Sequence, residues 1–395
     1  MKIAPNQDSL GLGHVPIFGA LDGFRGLLAV FVAIYHTYWF SHINRSAFFE
    51  HGPVIIDLFF VFSGFLMFTL YGRKIRNLQD GKRFIRKRFA RLYPLHLFVL
   101  CLFIVFASLR VLLHAIGVAT LETGEKLPFH PGAPESVSTL LSNLTLTHAM
   151  GVHDYNTFNV PSWTISVEFF AYFIFTAMLI WLRPRKNWHF GLIAVLVGLS
   201  YVLLSKVKPD MNITYDYAFL RCLGGFYTGV LVAHVFKFLQ KSAYINSLSI
   251  AVASMIEVFV LLVSILFVIY CPGKLQFLVA PILFLFVLVF AFDKGLVSRF
   301  MMAKLFRYLA RISYSVYMVH MIVAIVFYAV ANVVMTPILG EGWFEFGING
   351  DLFLMPYLAV VIIFAHFTHL FVEAPGHKAL LSNGPFFTKT ALSKS

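Results

Sequence analysis

Charge is the scarcest commodity in this chain. Of its 395 residues only 12% are Asp, Glu, Lys or Arg, against ~25% in an ordinary soluble domain. Together with 59% hydrophobic residues and a mean hydropathy of +0.81, this excludes a soluble globular protein. Cysteine is nearly as rare: Cys101, Cys222 and Cys271 are scattered and lack metal-ligand spacing, so neither a disulfide framework nor a metal site is expected. Acids number only 18, so each one inside an apolar run stands out. No internal repeat and no appended soluble domain are visible, and the first apolar stretch is too long for a cleavable signal peptide. What is abundant is phenylalanine, 45 residues, suited to lipid-facing and interhelical packing. The net charge of +13 would suggest a nucleic-acid partner in a soluble protein. Here the cations cluster in short stretches between apolar runs, so nucleic acid is not expected and membrane lipid is.

The hydropathy pattern predicts an all-α, polytopic transmembrane helix bundle of about ten spans, near 17–40, 53–71, 92–117, 162–182, 190–206, 218–236, 249–270, 277–292, 310–333 and 353–373. Residues 1–16 form a short lead-in and 374–395 a tail. A basic loop is expected at 72–91, with nine Lys/Arg, and a long polar segment at 118–161. Placing both termini on the cytoplasmic side puts 23 Lys/Arg inside and five outside, with three in spans. That bias supports N-in, C-in topology. Within 118–161, the stretch SVSTLLSNLTLTHAM is read as an amphipathic helix at the outer surface.

Several polar residues sit where charge costs a few kcal/mol. Arg25 and His36 lie eleven residues apart in the first span, about three turns, hence on one helix face roughly 16 Å apart. A neutral imidazole accepts a hydroxyl proton near neutral pH, which makes His36 the candidate base. Asp57 opens the second span near the expected depth of His36 and is the candidate carboxylate to fix its tautomer; a helix cap is the competing reading. Ser63 and Gly64 form a small-residue patch for substrate or for close packing. Arg88 and Arg91 form an R-x-x-R pair before Pro94, suited to phosphate oxygens or to anionic lipid. Glu168 lies a turn and a half into the fourth span and needs a partner such as Arg25, His36 or Arg221. Trp163 offers either a stacking surface for a sugar or an interfacial anchor. Arg221, among glycines, reads as half of a buried ion pair. The ninth span contains RISYSVYMVHMIV, unusually polar for a span, with Ser313, Tyr314, Ser315, Tyr317 and His320.

In this order the motifs resemble those of the acyltransferase family 3 membrane proteins. LDGFRGLLAVFVAIYH resembles the family's R-x10-H helix, with Arg25 and His36. DLFFVFSGFLM resembles its second-helix motif, and RFARLYP is similar to its R-x-x-R segment. PSWTISVE resembles W-S-L-S-V-E, with Thr164 and Ile165 as departures. RISYSVYMVH resembles S-Y-S-I-Y-L-x-H, and VEAPGHK the closing E-x-P. The resemblance implies a transmembrane acyltransferase domain over 17–373, flanked by cytoplasmic segments. It implies acyl-CoA, usually acetyl-CoA, as donor, with no metal. The acceptor it implies is a hydroxyl on a cell-surface or exported carbohydrate or lipid-linked glycan. It implies His36 as the catalytic residue, with Asp57 or Glu168 assisting. Arg25, Arg88 and Arg91 would be the donor-binding arginines, and Trp163, Ser63 and His320 substrate contacts. The expected location is a bacterial inner membrane, in a version without the esterase-like domain some members carry. Direct transfer and a covalent acyl-histidine route both stay open.

The rival from another class is a proton-coupled transporter of a small polar solute, since buried Arg, His, Asp and Glu also suit a proton relay. Transporters often carry inverted repeats and paired broken helices, which this sequence does not show. Nor does that reading account for R-x-x-R before Pro94.

Overall fold

The computed structural model describes residues 18–117, 126–340, 342–343 and 347–382. The lead-in 1–16, the end of the tail and residues 118–125 lie outside the described residues. Those described form helices and connecting turns, with no strand among them. In chain order the helices are α1 (Gly19–Tyr35), α2 (Ala47–Glu50), α3 (Asp57–Tyr71), α4 (Leu78–Ala115), α5 (Val137–Leu144), α6 (Trp163–Ala177), α7 (Asn187–Val207), α8 (Ala218–Leu239), α9 (Ala243–Ser247), α10 (Ile250–Tyr270), α11 (Val279–Phe290), α12 (Leu296–Met301), α13 (Lys304–Leu339), α14 (Gly347–Thr368) and α15 (Ala374–Ser382).

Nine helical stretches among the described residues are long and apolar enough to cross a membrane, which makes the chain an all-α polytopic bundle. The first expected span is the one that falls short. α1 is 17 residues long, about 26 Å at 1.5 Å per residue, because His36 ends the helix and residues 37–46 turn away as irregular chain.

Three other expectations change. The basic loop 72–91 is mostly helix: Asn77 caps α4 by accepting the Asp80 N–H at 2.9 Å, and α4 then runs 38 residues into the membrane. R-x-x-R is therefore rigid helix, not loop. Pro94 lies inside α4 and cannot donate to the Ala90 carbonyl. Close by, Tyr314 Oη donates to the Leu92 carbonyl at 2.6 Å. Next, the tail begins as α15, which packs on α4, and Arg86 donates to the Leu380 and Leu381 carbonyls at 2.8 and 3.1 Å. Finally, α5 does form at the outer segment but with its polar side inward. Thr139, Ser142 and Asn143 are buried, while Val137 and Leu141 are exposed.

Two close helix pairs hold the bundle. α3 packs most extensively on α8, and α1 on α13. Glycine permits the first pairing. A Cβ on Gly64 would collide with the Phe226 carbonyl, and one on Gly229 with the Val61 carbonyl and Phe65 nitrogen. In a membrane such backbone approach replaces the hydrophobic force that drives packing in water. Gly64→Leu is therefore expected to abolish the monodisperse peak in size-exclusion chromatography of detergent-solubilised protein, whereas Leu66→Val at the partly buried neighbouring position is expected to leave it in place. The start of α1 has no cap of its own. Asp293 supplies one from far along the chain, accepting the Gly19 and Ala20 N–H groups at 2.9 and 2.8 Å. Glu257 likewise accepts from Gly295 N at 2.7 Å and from Ser298 N at 3.0 Å at the start of α12.

Candidate active site

His36 sits at the C-terminal cap of α1, half-buried. Its Nδ1 is 3.0 Å from the Val32 carbonyl and 3.2 Å from Nε2 of His320. His320 lies on α13, fully buried, with its own Nδ1 3.2 Å from the Val316 carbonyl. Carbonyls accept only, so each ring meets its carbonyl with a protonated Nδ1. His320 Nε2 is then a lone pair facing the Nδ1–H of His36. That arrangement leaves His36 Nε2 as the free basic nitrogen. Tyr357 on α14 fixes the pair from behind, its hydroxyl lying 3.0 Å from the Ala33 carbonyl and 3.3 Å from the His320 carbonyl. The tyrosine one turn before His320 joins α13 to the start of α6: Tyr317 Oη donates to the Pro161 carbonyl at 3.0 Å and accepts from Thr164 Oγ1 at 2.9 Å.

A second cluster lies between α3, α4 and α6. Glu168 accepts from Tyr172 Oη at 2.7 Å, and Ser63 Oγ is 3.2 Å from the same hydroxyl. Arg88 and Arg25 are near enough to act electrostatically on the Glu168 carboxylate. Arg25 also pairs with Asp22 at 3.1 Å. The Arg88 guanidinium lies over the rings of Tyr71 and Phe84, each 5.8 Å to the centroid. Its Nε is buried with no hydrogen-bond partner among the described residues. An orphaned buried donor costs ~1–3 kcal/mol, and it marks Arg88 as a group that awaits an acceptor. Arg91, one turn on, is occupied differently: it pairs with the buried Glu373 and lies 5.7 Å above the Tyr314 ring. Glu373 also accepts from Ser315 Oγ at 2.6 Å and lies 3.1 Å from His369 Nδ1. It ends the π-helical turn His369–Glu373 that joins α14 to α15. The R-x-x-R, S-Y-S and E-x-P motifs thus meet in one place.

The structure gives three of the expected site residues other partners. Asp57 does not fix the tautomer of His36. It is fully buried against Arg221, whose Nε and Nη2 donate to its Oδ2 at 2.9 and 2.6 Å. Arg221 also donates to the Ile213 and Pro53 carbonyls. Trp163, 6% exposed, supports the same pair, with the Arg221 guanidinium 5.2 Å from its ring centroid. Its ring is buried against that pair rather than exposed. Asp57 faces α8 because the glycine-lined α3–α8 contact brings it there. His320, expected to touch substrate, instead touches His36 from the protein side. Glu168 bonds with Tyr172, and among the described residues no hydrogen bond or ion pair joins it to His36. Tyr172 is the residue that the sequence reading missed. Its signal was the i, i+4 spacing from Glu168, which stacks the two side chains on one helix face.

The outer segment packs on α4 and on the start of α6. His96 on α4 bonds through Nε2 to the Asn143 carbonyl at 3.0 Å, and Ser162 Oγ is 3.1 Å from His148 Nε2. Burial, reinforced by the neighbouring His96, pushes the His148 ring down to about 3, so it is neutral. No group of three or more His, Cys, Asp or Glu side chains among the described residues is placed to hold a metal.

The chain matches the family described as Acyltransferase domain over residues 18–365, and it belongs to that family. It is also 35% identical over 109 residues to "Protein 2 in picA locus" of Rhizobium radiobacter, a match covering 26% of this chain and 51% of that protein. The chain therefore spans about half the length of the curated relative it matches. No solved structure matches.

Proposed function

We propose that this protein is an integral-membrane O-acyltransferase, moving an acyl group, with acetyl the expected one, from acyl-CoA to a hydroxyl of a cell-surface or exported carbohydrate such as lipopolysaccharide, another polysaccharide or a lipid-linked glycan. The observation that carries the reading is the free Nε2 of His36, held ready by His320. His36 takes the proton from the acceptor hydroxyl as its oxygen attacks the thioester carbonyl. The tetrahedral intermediate collapses with cleavage of the C–S bond, and the thiolate takes up the proton. The products are an ester and free coenzyme A.

Arg88 would receive a donor phosphate on its unpaired nitrogen, and Arg25 with Glu168 would line the approach. Arg91, neutralised by Glu373, is the support that holds this corner together. The Lys/Arg bias supports a reading in which the R-x-x-R end of α4 faces the cytoplasm, where acyl-CoA is made, and the His36 end faces outward, the membrane being a bacterial inner membrane. Arg88→Ala is expected to raise the acetyl-CoA KM on the order of 10- to 100-fold, the ~1.5–3 kcal/mol of a charge-assisted hydrogen bond, with little change in kcat. Steady-state kinetics with free-thiol detection reads this directly. An unchanged KM would remove Arg88 from the donor site.

A further inference from the structure

A second site does not include Arg88. A cavity of about 740 Å³ opens at the basic end of the bundle, among the ends of α3, α6 and α8 and the starts of α1 and α7. Its rim carries Arg73, Arg76, Arg183, Arg185 and Lys237, and no carboxylate lines it among the described residues. Lys237 lies within electrostatic reach of Arg73 and of one further cation, Lys241. Two of the guanidinium groups are oriented by backbone: Arg76 Nε donates to the Arg73 carbonyl at 3.2 Å, and Arg183 Nε to the Ile180 carbonyl at 3.1 Å, while the nearby Asp80 carboxylate accepts the Arg76 backbone N–H at 3.2 Å. Gathering like charges this closely is unfavourable unless an anion occupies the space between them.

The floor is apolar, made by Phe18, Phe68, Phe190 and Phe236. At the mouth, Phe238 is exposed, and Trp181 and Trp188 on either side of the 183–186 turn are exposed as well. Exposed tryptophans at helix ends mark the membrane–water interface. The rim therefore stands at headgroup depth, with a route for acyl chains along the lipid-facing surface of α7, where Leu192, Leu196 and Leu199 are exposed.

We infer that this cavity binds the phosphate headgroup of an anionic phospholipid. The inner leaflet supplies such lipids, and basic pockets between helices on that side are suited to them. A nucleotide could satisfy the same cations, but the α3 residues that line this cavity, Phe68 and Thr69, are not those at the Arg88–Glu168 cluster, Ser63 and Tyr71. The inference is independent of the proposed transferase activity.

Native mass spectrometry of detergent-solubilised full-length protein, titrated with phosphatidylglycerol and with phosphatidylcholine, tests it. Phosphatidylglycerol should bind saturably and phosphatidylcholine should not. The triple substitution Arg73→Gln, Arg185→Gln, Lys237→Gln should weaken phosphatidylglycerol binding on the order of 100-fold, about a factor of five per cation. Two exposed cations of the same end, Arg299 and Lys304, serve as controls, and their replacement by Gln should change nothing. Arg73→Lys with Arg185→Lys keeps the charge and should keep most of the binding, which separates lost recognition from misfolding. Equal binding by wild type and the triple variant would overturn the inference. So would displacement of phosphatidylglycerol by coenzyme A with the same triple-variant sensitivity, which would make the cavity a nucleotide site.

Discussion

His36→Ala is expected to lower kcat for thiol release from acetyl-CoA by about 10²–10⁴-fold, the usual contribution of a positioned general base. Donor KM should hardly move, because Arg88 and Glu168 belong to a separate cluster of side chains. The size of the effect follows from geometry. Only His36 Nε2 is left as a free lone pair once Val32, Val316 and the His320–His36 contact have fixed both tautomers. His36→Gln keeps volume and a donor but supplies no base, and should fall with Ala. His320→Ala should cost less than His36→Ala, since it removes the group that fixes the ring and leaves the base. Its signature would be a displaced acid limb of the pH–kcat profile, which a purely structural defect would not produce. A His36→Ala protein with full kcat would refute His36 as the base while leaving the family assignment intact.

The largest stability effect is expected at Asp57. Asp57→Ala leaves Arg221, 1% exposed, charged and without its carboxylate. Breaking a buried pair by removing one partner costs ~3–5 kcal/mol. Denaturant titration in detergent should show that loss, and Asp57→Ala combined with Arg221→Met should recover much of it, because apolar replacement of both partners is often neutral. The folded double variant should then retain most of its turnover. Were Asp57 instead the residue that positions His36, Asp57→Asn would cut kcat 100-fold or more at unchanged stability. The two outcomes are readily told apart.

The class of fold was legible from scarcity of charge and from the lengths of the apolar runs, because crossing a bilayer imposes both. Helix ends were less so. The basic stretch 72–91 reads as loop by composition, yet it is helical from Leu78 because an Asn77 cap and the contact with α15 outweigh its charge. The site was legible in its parts and not in its pairings. Arg25 and His36 on one face, Arg88 and Glu168 as anomalies, and Arg221 as half of an ion pair all follow from local spacing. That Asp57 takes Arg221, Glu373 takes Arg91 and His320 backs His36 depends on contacts over 164, 282 and 284 residues of sequence. Those contacts are set by which helices pack, and the Gly64–Phe226 approach that brings α3 onto α8 is invisible without the partner helix. Tyr172 and Tyr317, which tie the motifs together, resemble any other tyrosine in an apolar run until their hydroxyls are seen to find Glu168 and Pro161.

The measurement that bears most directly on the central claim is transfer of a labelled acetyl group by purified wild-type protein in detergent, with a pool of membrane glycans as acceptor and free thiol followed in parallel. The account predicts labelled ester on glycan and an equal amount of released thiol, with no sealed vesicle required. No thiol release with any acyl chain or acceptor, no donor binding, and solute flux seen only across sealed vesicles would contradict it and establish a transporter instead.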